Sequence, residues 1–75
     1  MSAELDARGL LCPLPVLKAR KRLQALQSGD VLAMLADDPA AVVDVPHFCN
    51  EQGHELIGQE PAEDGATLYR IKKGG

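Results

Sequence analysis

Tryptophan is absent from this sequence, and Phe48 and Tyr69 are its only phenylalanine and tyrosine. Two such side chains cannot build a platform on which successive bases stack, which excludes the common mode of single-stranded nucleic-acid recognition. Basic residues are also in deficit. Eight lysines and arginines face 11 acids, and the net charge of -3 argues against a general nucleic-acid binder. No apolar run approaches the ~20 residues needed to cross a bilayer. No secretory leader pattern is present, and cysteine occurs only at positions 12 and 49, so a soluble cytoplasmic protein is expected, with a Cys12–Cys49 disulfide disfavoured. Repeats and low-complexity segments are missing too. Finally, the position three after Cys12 is Pro15, so the chain has no Cys-x-x-Cys pair and lacks the resolving thiol of a dithiol oxidoreductase.

What is present is a 75-residue chain with 45% apolar residues, drawn almost wholly from Leu, Val, Ile and Ala. That length predicts one domain, with an aliphatic core, that buries only about 60% of its unfolded surface.

Glu4 to Arg8 alternates polar and apolar residues, as a half-buried strand does, and Gly9 ends it. From Pro13 to about Gln27, Val16, Ala19, Leu23 and Leu26 recur at spacings of three and four and mark one apolar helical face. Val31 to Ala36 is a continuous apolar run bounded by turn residues, which predicts a strand central in the sheet or covered on both sides. Asp37-Asp38-Pro39 signals a helix start. Gly53 is the expected stop, and because Pro46 falls between them, the regular helix is expected to begin near Asp44, after an irregular turn. His54–Gln59 and Thr67–Lys72 read as strands joined by a Pro-, Asp- and Gly-bearing hairpin loop. The order βαβαββ predicts an α+β two-layer sandwich. A parallel crossover and an antiparallel hairpin share a mixed four-stranded sheet, with both helices on one face.

The chemistry points to Cys12-Pro13-Leu14-Pro15. A sulfur at a helix N-cap meets the positive end of the macrodipole, which favours the reactive thiolate. Pro13 suits the first helical position, and Pro15 is tolerated within the first turn. Both lack an N–H to give the sulfur, so a moderately activated thiol is expected. A second thiol at position 15 would attack a persulfide on Cys12 and release sulfide, whereas proline cannot. The site therefore suits a cysteine that holds a labile sulfur until a partner takes it. The competing reading is a buried apolar cysteine that merely precedes a helix.

Leu5-Asp6-Ala7-Arg8-Gly9 leading into Cys12-Pro13-Leu14-Pro15 resembles the strand and Cys-Pro-x-Pro signature of the TusA/SirA-like sulfur carriers. Asp37-Asp38-Pro39, Asp44-Val45-Pro46, Phe48-Cys49, Gly53-His54-Glu55-Leu56 and the tail from Tyr69 to Gly75 are similar to that family in order and spacing. The resemblance implies a sulfurtransferase-type carrier that turns over through a persulfide on Cys12. Its donor would be a cysteine desulfurase and its acceptors downstream sulfur-relay proteins, a relay that in some bacteria ends in 2-thiouridine of transfer RNA. No cofactor or metal is implied, and no direct contact with nucleic acid or membrane. A regulatory or protein-interaction module without thiol chemistry is the alternative.

Between Gly9 and Gly29 lie four bases, Lys18, Arg20, Lys21 and Arg22, and no acid. Lys18 and Arg22 are four apart on one helix face, placed to meet an acidic partner, and Arg8 is a candidate neighbour of the thiol. The same cluster reads equally as a solvated face. Cys49, His47 and His54 lie in one stretch without a metal-ligand spacing, so Cys49 is expected in the core and both histidines on the surface. Gly74-Gly75 is expected to be a flexible tail rather than the thiocarboxylate terminus of a ubiquitin-like carrier, whose fold runs ββαββ.

Overall fold

The computed structural model describes residues 2–74. Its elements are β1 (Ser2–Asp6), α1 (Leu14–Gln24), β2 (Val31–Ala36), α2 (Ala41–Gln52), β3 (Glu55–Pro61) and β4 (Thr67–Lys72), with a short 3-10 turn at Glu63–Gly65. The strands form one sheet in the order β1-β2-β4-β3, with β1 and β2 parallel and both pairs involving β4 antiparallel. This is the expected α+β arrangement of two helices on a mixed four-stranded sheet.

Residue type explains which face is covered. Along β2, Leu32, Met34 and Ala36 are buried, while Val31, Ala33 and Leu35 on the other side are half-buried, so the strand is central but packed by helices on one face alone. Leu32 stands beside Ile71 and Met34 beside Tyr69 on β4, which continues the same layer. From the helices come Ala19 and Leu23 of α1 and Ala41, Val45, Phe48 and Cys49 of α2, all in one cluster with the sheet residues. Both aromatic residues thus join the aliphatic core, with Tyr69 wholly buried.

The predicted apolar stripe of α1 is observed, with Pro15 added to its buried side. The start of α2 is not where the pattern placed it. The helix begins at Ala41 and runs unbroken through Pro46, rather than starting near Asp44. Pro46 removes one bond to the carbonyl of Val42, but Val42 is 48% exposed and water can serve that oxygen. Gly53 ends the helix with φ 75°, a left-handed conformation that its missing Cβ permits.

The last described residue is held. The Gly74 N–H donates to His54 Nδ1 at 3.1 Å, and a Cβ at Gly74 would run into the Gly53 carbonyl. The expected flexible tail therefore fails at Gly74, and Gly75 lies outside the described residues. His54 is half-buried rather than on the surface, its ring 5.7 Å from that of Phe48. His47 is exposed as expected.

Candidate functional site

Because β1 and β2 run parallel as neighbours, their carboxyl ends and the loops that follow meet at one edge of the sheet. The first loop carries Cys12, and the second carries Asp37 and Asp38. Side chains of the second loop hold the backbone of the first: Gly9 N–H donates to Asp37 Oδ1 at 3.0 Å, and Cys12 N–H donates to Asp38 Oδ2 at 2.5 Å. The other oxygen of Asp38 accepts from Ala40 N–H at 3.1 Å, and its carbonyl accepts from Ala41 N–H at 3.0 Å. Asp38 therefore both closes the turn that leads into α2 and fixes the cysteine.

Cys12 itself is exposed, against the reading of a buried structural cysteine. Pro13 is the cap residue of α1, Leu14 opens the helix and Pro15 is its second residue, with the Cys12–Pro13 peptide cis. The sulfur thus stands one residue before the cap instead of on it. Its nearest polar partner lies on the other helix: Cys12 Sγ donates to Asp44 Oδ2 at 2.6 Å. The two sit on a groove of about 220 Å³, whose walls include Pro13 and Val16 on one side and His47 and Glu51 on the other, with the nearly buried Phe48 between.

This setting overturns the expected activation of the thiol. The hydrogen bond to the Asp44 carboxylate, the partial loss of solvent, and the negative charges of Asp44 and Asp38 all hold the Cys12 thiol above its ordinary value. A carboxylate at hydrogen-bond distance outweighs a helix end whose first residues include a proline and whose sulfur stands outside the cap. Asp44 and Asp38 thus favour the protonated thiol of Cys12.

The other sequence candidates are distributed around this centre. Lys18 and Arg22 do share a face, forming with Lys21 a basic groove beside Leu5, separate from the one holding Cys12. Arg22 is anchored there, its Nη1 donating to the carbonyl of Glu4 at 2.8 Å. Arg8 gives both its Nε and Nη2 to Asp6 at 2.9 Å, so its guanidinium is committed to that carboxylate and not to the thiol. Cys49 is 2% exposed, and burial pushes its thiol up to about 11. His47 pairs with Glu51 at 2.9 Å along the wall of the Cys12 groove. Among the described residues, no three His, Cys, Asp or Glu side chains converge as metal ligands.

Asp38 and Asp44 are the site residues that pattern reading missed. Both read as helix-start signals in the sequence, and their second duty requires the parallel β1–β2 pair to bring the Cys12 loop against the entrance and first turn of α2.

Residues 3–73 match the family described as sulfurtransferase TusA. The chain belongs to the TusA family. It is 44% identical over 73 residues to the sulfur carrier protein TusA of Pseudomonas syringae pv. syringae (strain B728a), covering 97% of this chain and 86% of that protein. The fold also superposes on the crystal structure of a SirA-like protein from Desulfitobacterium hafniense, with a TM-score of 0.83 at 24% identity, over 97% of this chain and 99% of that one. The TusA fold is thus reached here with Cys12 at the edge where β1 and β2 end. No helix among the described residues is long and apolar enough to cross a membrane.

Proposed function

We propose that this TusA-family protein is a cytoplasmic sulfur carrier that accepts a persulfide sulfur on Cys12 from a cysteine desulfurase and passes it to acceptor proteins. The observation that carries the reading is the contrast between the two cysteines: Cys12 is exposed on an open groove, while Cys49 is buried. A sulfur bound to Cys12 is therefore open to a partner's thiol and shielded from the protein's own second thiol. Transfer is thiol–persulfide exchange, in which the attacking sulfur forms a new S–S bond as the donor's breaks. No cofactor enters that step.

Partner docking is supported by surface composition. Leu11 is 70% exposed and Val43 71%, and each directly precedes a site residue, Cys12 or Asp44. Exposed leucine and valine beside a reactive group suit contact with another protein more than with solvent. The basic groove at Lys18, Lys21 and Arg22 adds charge that would steer an acidic partner. Acceptors would include relay proteins that lead toward 2-thiouridine in transfer RNA, with no direct contact to the nucleic acid.

The test follows ³⁵S from labelled cysteine through a cysteine desulfurase onto the protein and then off to an acceptor. Wild type and Cys49→Ser are expected to relay label, and Cys12→Ser to relay none. A Cys12→Ser protein that keeps its full biological role would instead favour an interaction module without thiol chemistry.

A further inference from the structure

Asp44 reaches from the first turn of α2 to a sulfur 32 residues earlier in the chain. Seating α2 on the sheet does not require this contact, because Ala41, Val45, Phe48 and Cys49 already do so from the buried face. A carboxylate against the thiol is also the reverse of the cationic surroundings that ordinarily activate a cysteine. The titratable groups around Sγ are Asp44, His47 and Glu51 from α2 and Asp38 from the loop before it, while α1 brings only Pro13 and Val16. The one basic group among them, His47, is engaged by Glu51 at 2.9 Å.

We infer that Asp44 makes the position of the Cys12 sulfur depend on its load. Its carboxylate holds the empty thiol in the groove by a hydrogen bond and drives the anionic persulfide outward, toward an acceptor. The inference rests on the sulfur-carrier reading above. An ionised carboxylate only accepts hydrogen bonds, and the empty thiol has a proton to donate. Loading changes the sign of the interaction. A hydropersulfide is more acidic than its parent thiol, so the terminal sulfur is an anion at neutral pH, and two anions at that distance repel.

The loading step balances without an oxidant. Cys12 Sγ forms a bond to the terminal sulfur of the donor's hydropersulfide, the donor's S–S bond breaks, and its electron pair stays on the donor's cysteine sulfur. The proton leaving Cys12 passes to the Asp44 carboxylate and on to the donor's thiolate, and the new hydropersulfide then loses its own proton to water. The same carboxylate that kept the empty thiol quiet is thus left facing a charge of its own sign.

The experiment compares wild type, Asp44→Asn and Asp44→Glu, each checked for folding by circular dichroism. Alkylation of the empty protein by iodoacetamide is followed against pH. The Asn variant's midpoint should fall, because the carboxylate that accepts from the thiol and opposes its ionisation is gone, and that of the Glu variant should stay near wild type. The three proteins are then loaded with inorganic polysulfide, and capping of the persulfide by iodoacetamide is followed at a pH where it is fully ionised. Capping should slow several-fold in the Asn variant, because the sulfur is no longer pushed out. If wild type loads normally and the Asn variant matches it in either measurement, the load-dependent switch is overturned while the carrier reading stands. If wild type gains no sulfur at all, the carrier reading falls and the switch falls with it.

Discussion

One carboxylate of Asp38 ties together two helix entrances: Oδ2 accepts from the backbone N–H of Cys12 at 2.5 Å, and Oδ1 accepts from that of Ala40 at 3.1 Å. Asp38→Ala should therefore cost about 1–2 kcal/mol of stability, as loss of charge-assisted hydrogen bonds from backbone N–H groups does. It should also speed hydrogen exchange at the Cys12 amide. Urea denaturation and amide exchange check both, and an unchanged midpoint would mean that the loop is held by other contacts.

Two leucines separate stability from docking. Leu23 is 1% exposed in the core, so Leu23→Ala should destabilise by about 2–5 kcal/mol. Leu11, 70% exposed beside the thiol, should change stability by less than about 0.5 kcal/mol when replaced by Ala. Sulfur transfer from a protein donor should nonetheless slow in Leu11→Ala. Equal transfer rates for that variant and wild type would remove Leu11 from the docking surface.

His54 gives the fold a pH dependence at its far end. Burial, and to a lesser degree the charge of Lys73, hold its pKa below the ordinary 6.5, and its neutral Nδ1 accepts from Gly74. A histidine depressed in the folded state contributes stability that is fully present above its unfolded value and lost as pH falls through the folded one. Stability should thus decline below about pH 6.5, and His54→Gln should flatten that decline. Thermal melts of the two proteins from pH 7.5 to 5 test it, and identical slopes would contradict it.

Much of this arrangement was legible in the chain. The short apolar run Val31–Ala36 marks a strand by its length and the turn residues at its ends, and the spacing of Val16, Ala19 and Leu23 marks a helix face by its period. The start of α2 is not legible, because a mid-helix proline is costly in isolation, yet here the bond it removes belongs to the exposed Val42. At the site, Cys12 was found from its neighbours in sequence. Its chemistry is not legible there, because the controlling group, Asp44, is distant in sequence and becomes adjacent only after the parallel crossover forms. His54 and Gly74 were misplaced for the same reason, since their contact joins residues 20 apart.

The basic groove should affect rate rather than fold. Lys18→Glu should slow sulfur transfer at low salt, and the effect should shrink as salt rises, because steering between exposed charges is screened. Arg22→Glu should act more weakly on transfer and slightly lower stability, since Arg22 is anchored on the Glu4 carbonyl. Stopped-flow transfer at several ionic strengths checks this, and salt-independent rates in both variants would leave the cluster as a solvated helix face.

Intact mass spectrometry with peptide mapping tests most directly whether Cys12 carries the sulfur. After incubation with a cysteine desulfurase and cysteine, wild type should gain one sulfur atom, located on Cys12, and Cys12→Ser should gain none. Label on the buried Cys49, or an unmodified wild type beside an active, persulfidated donor, would contradict the account.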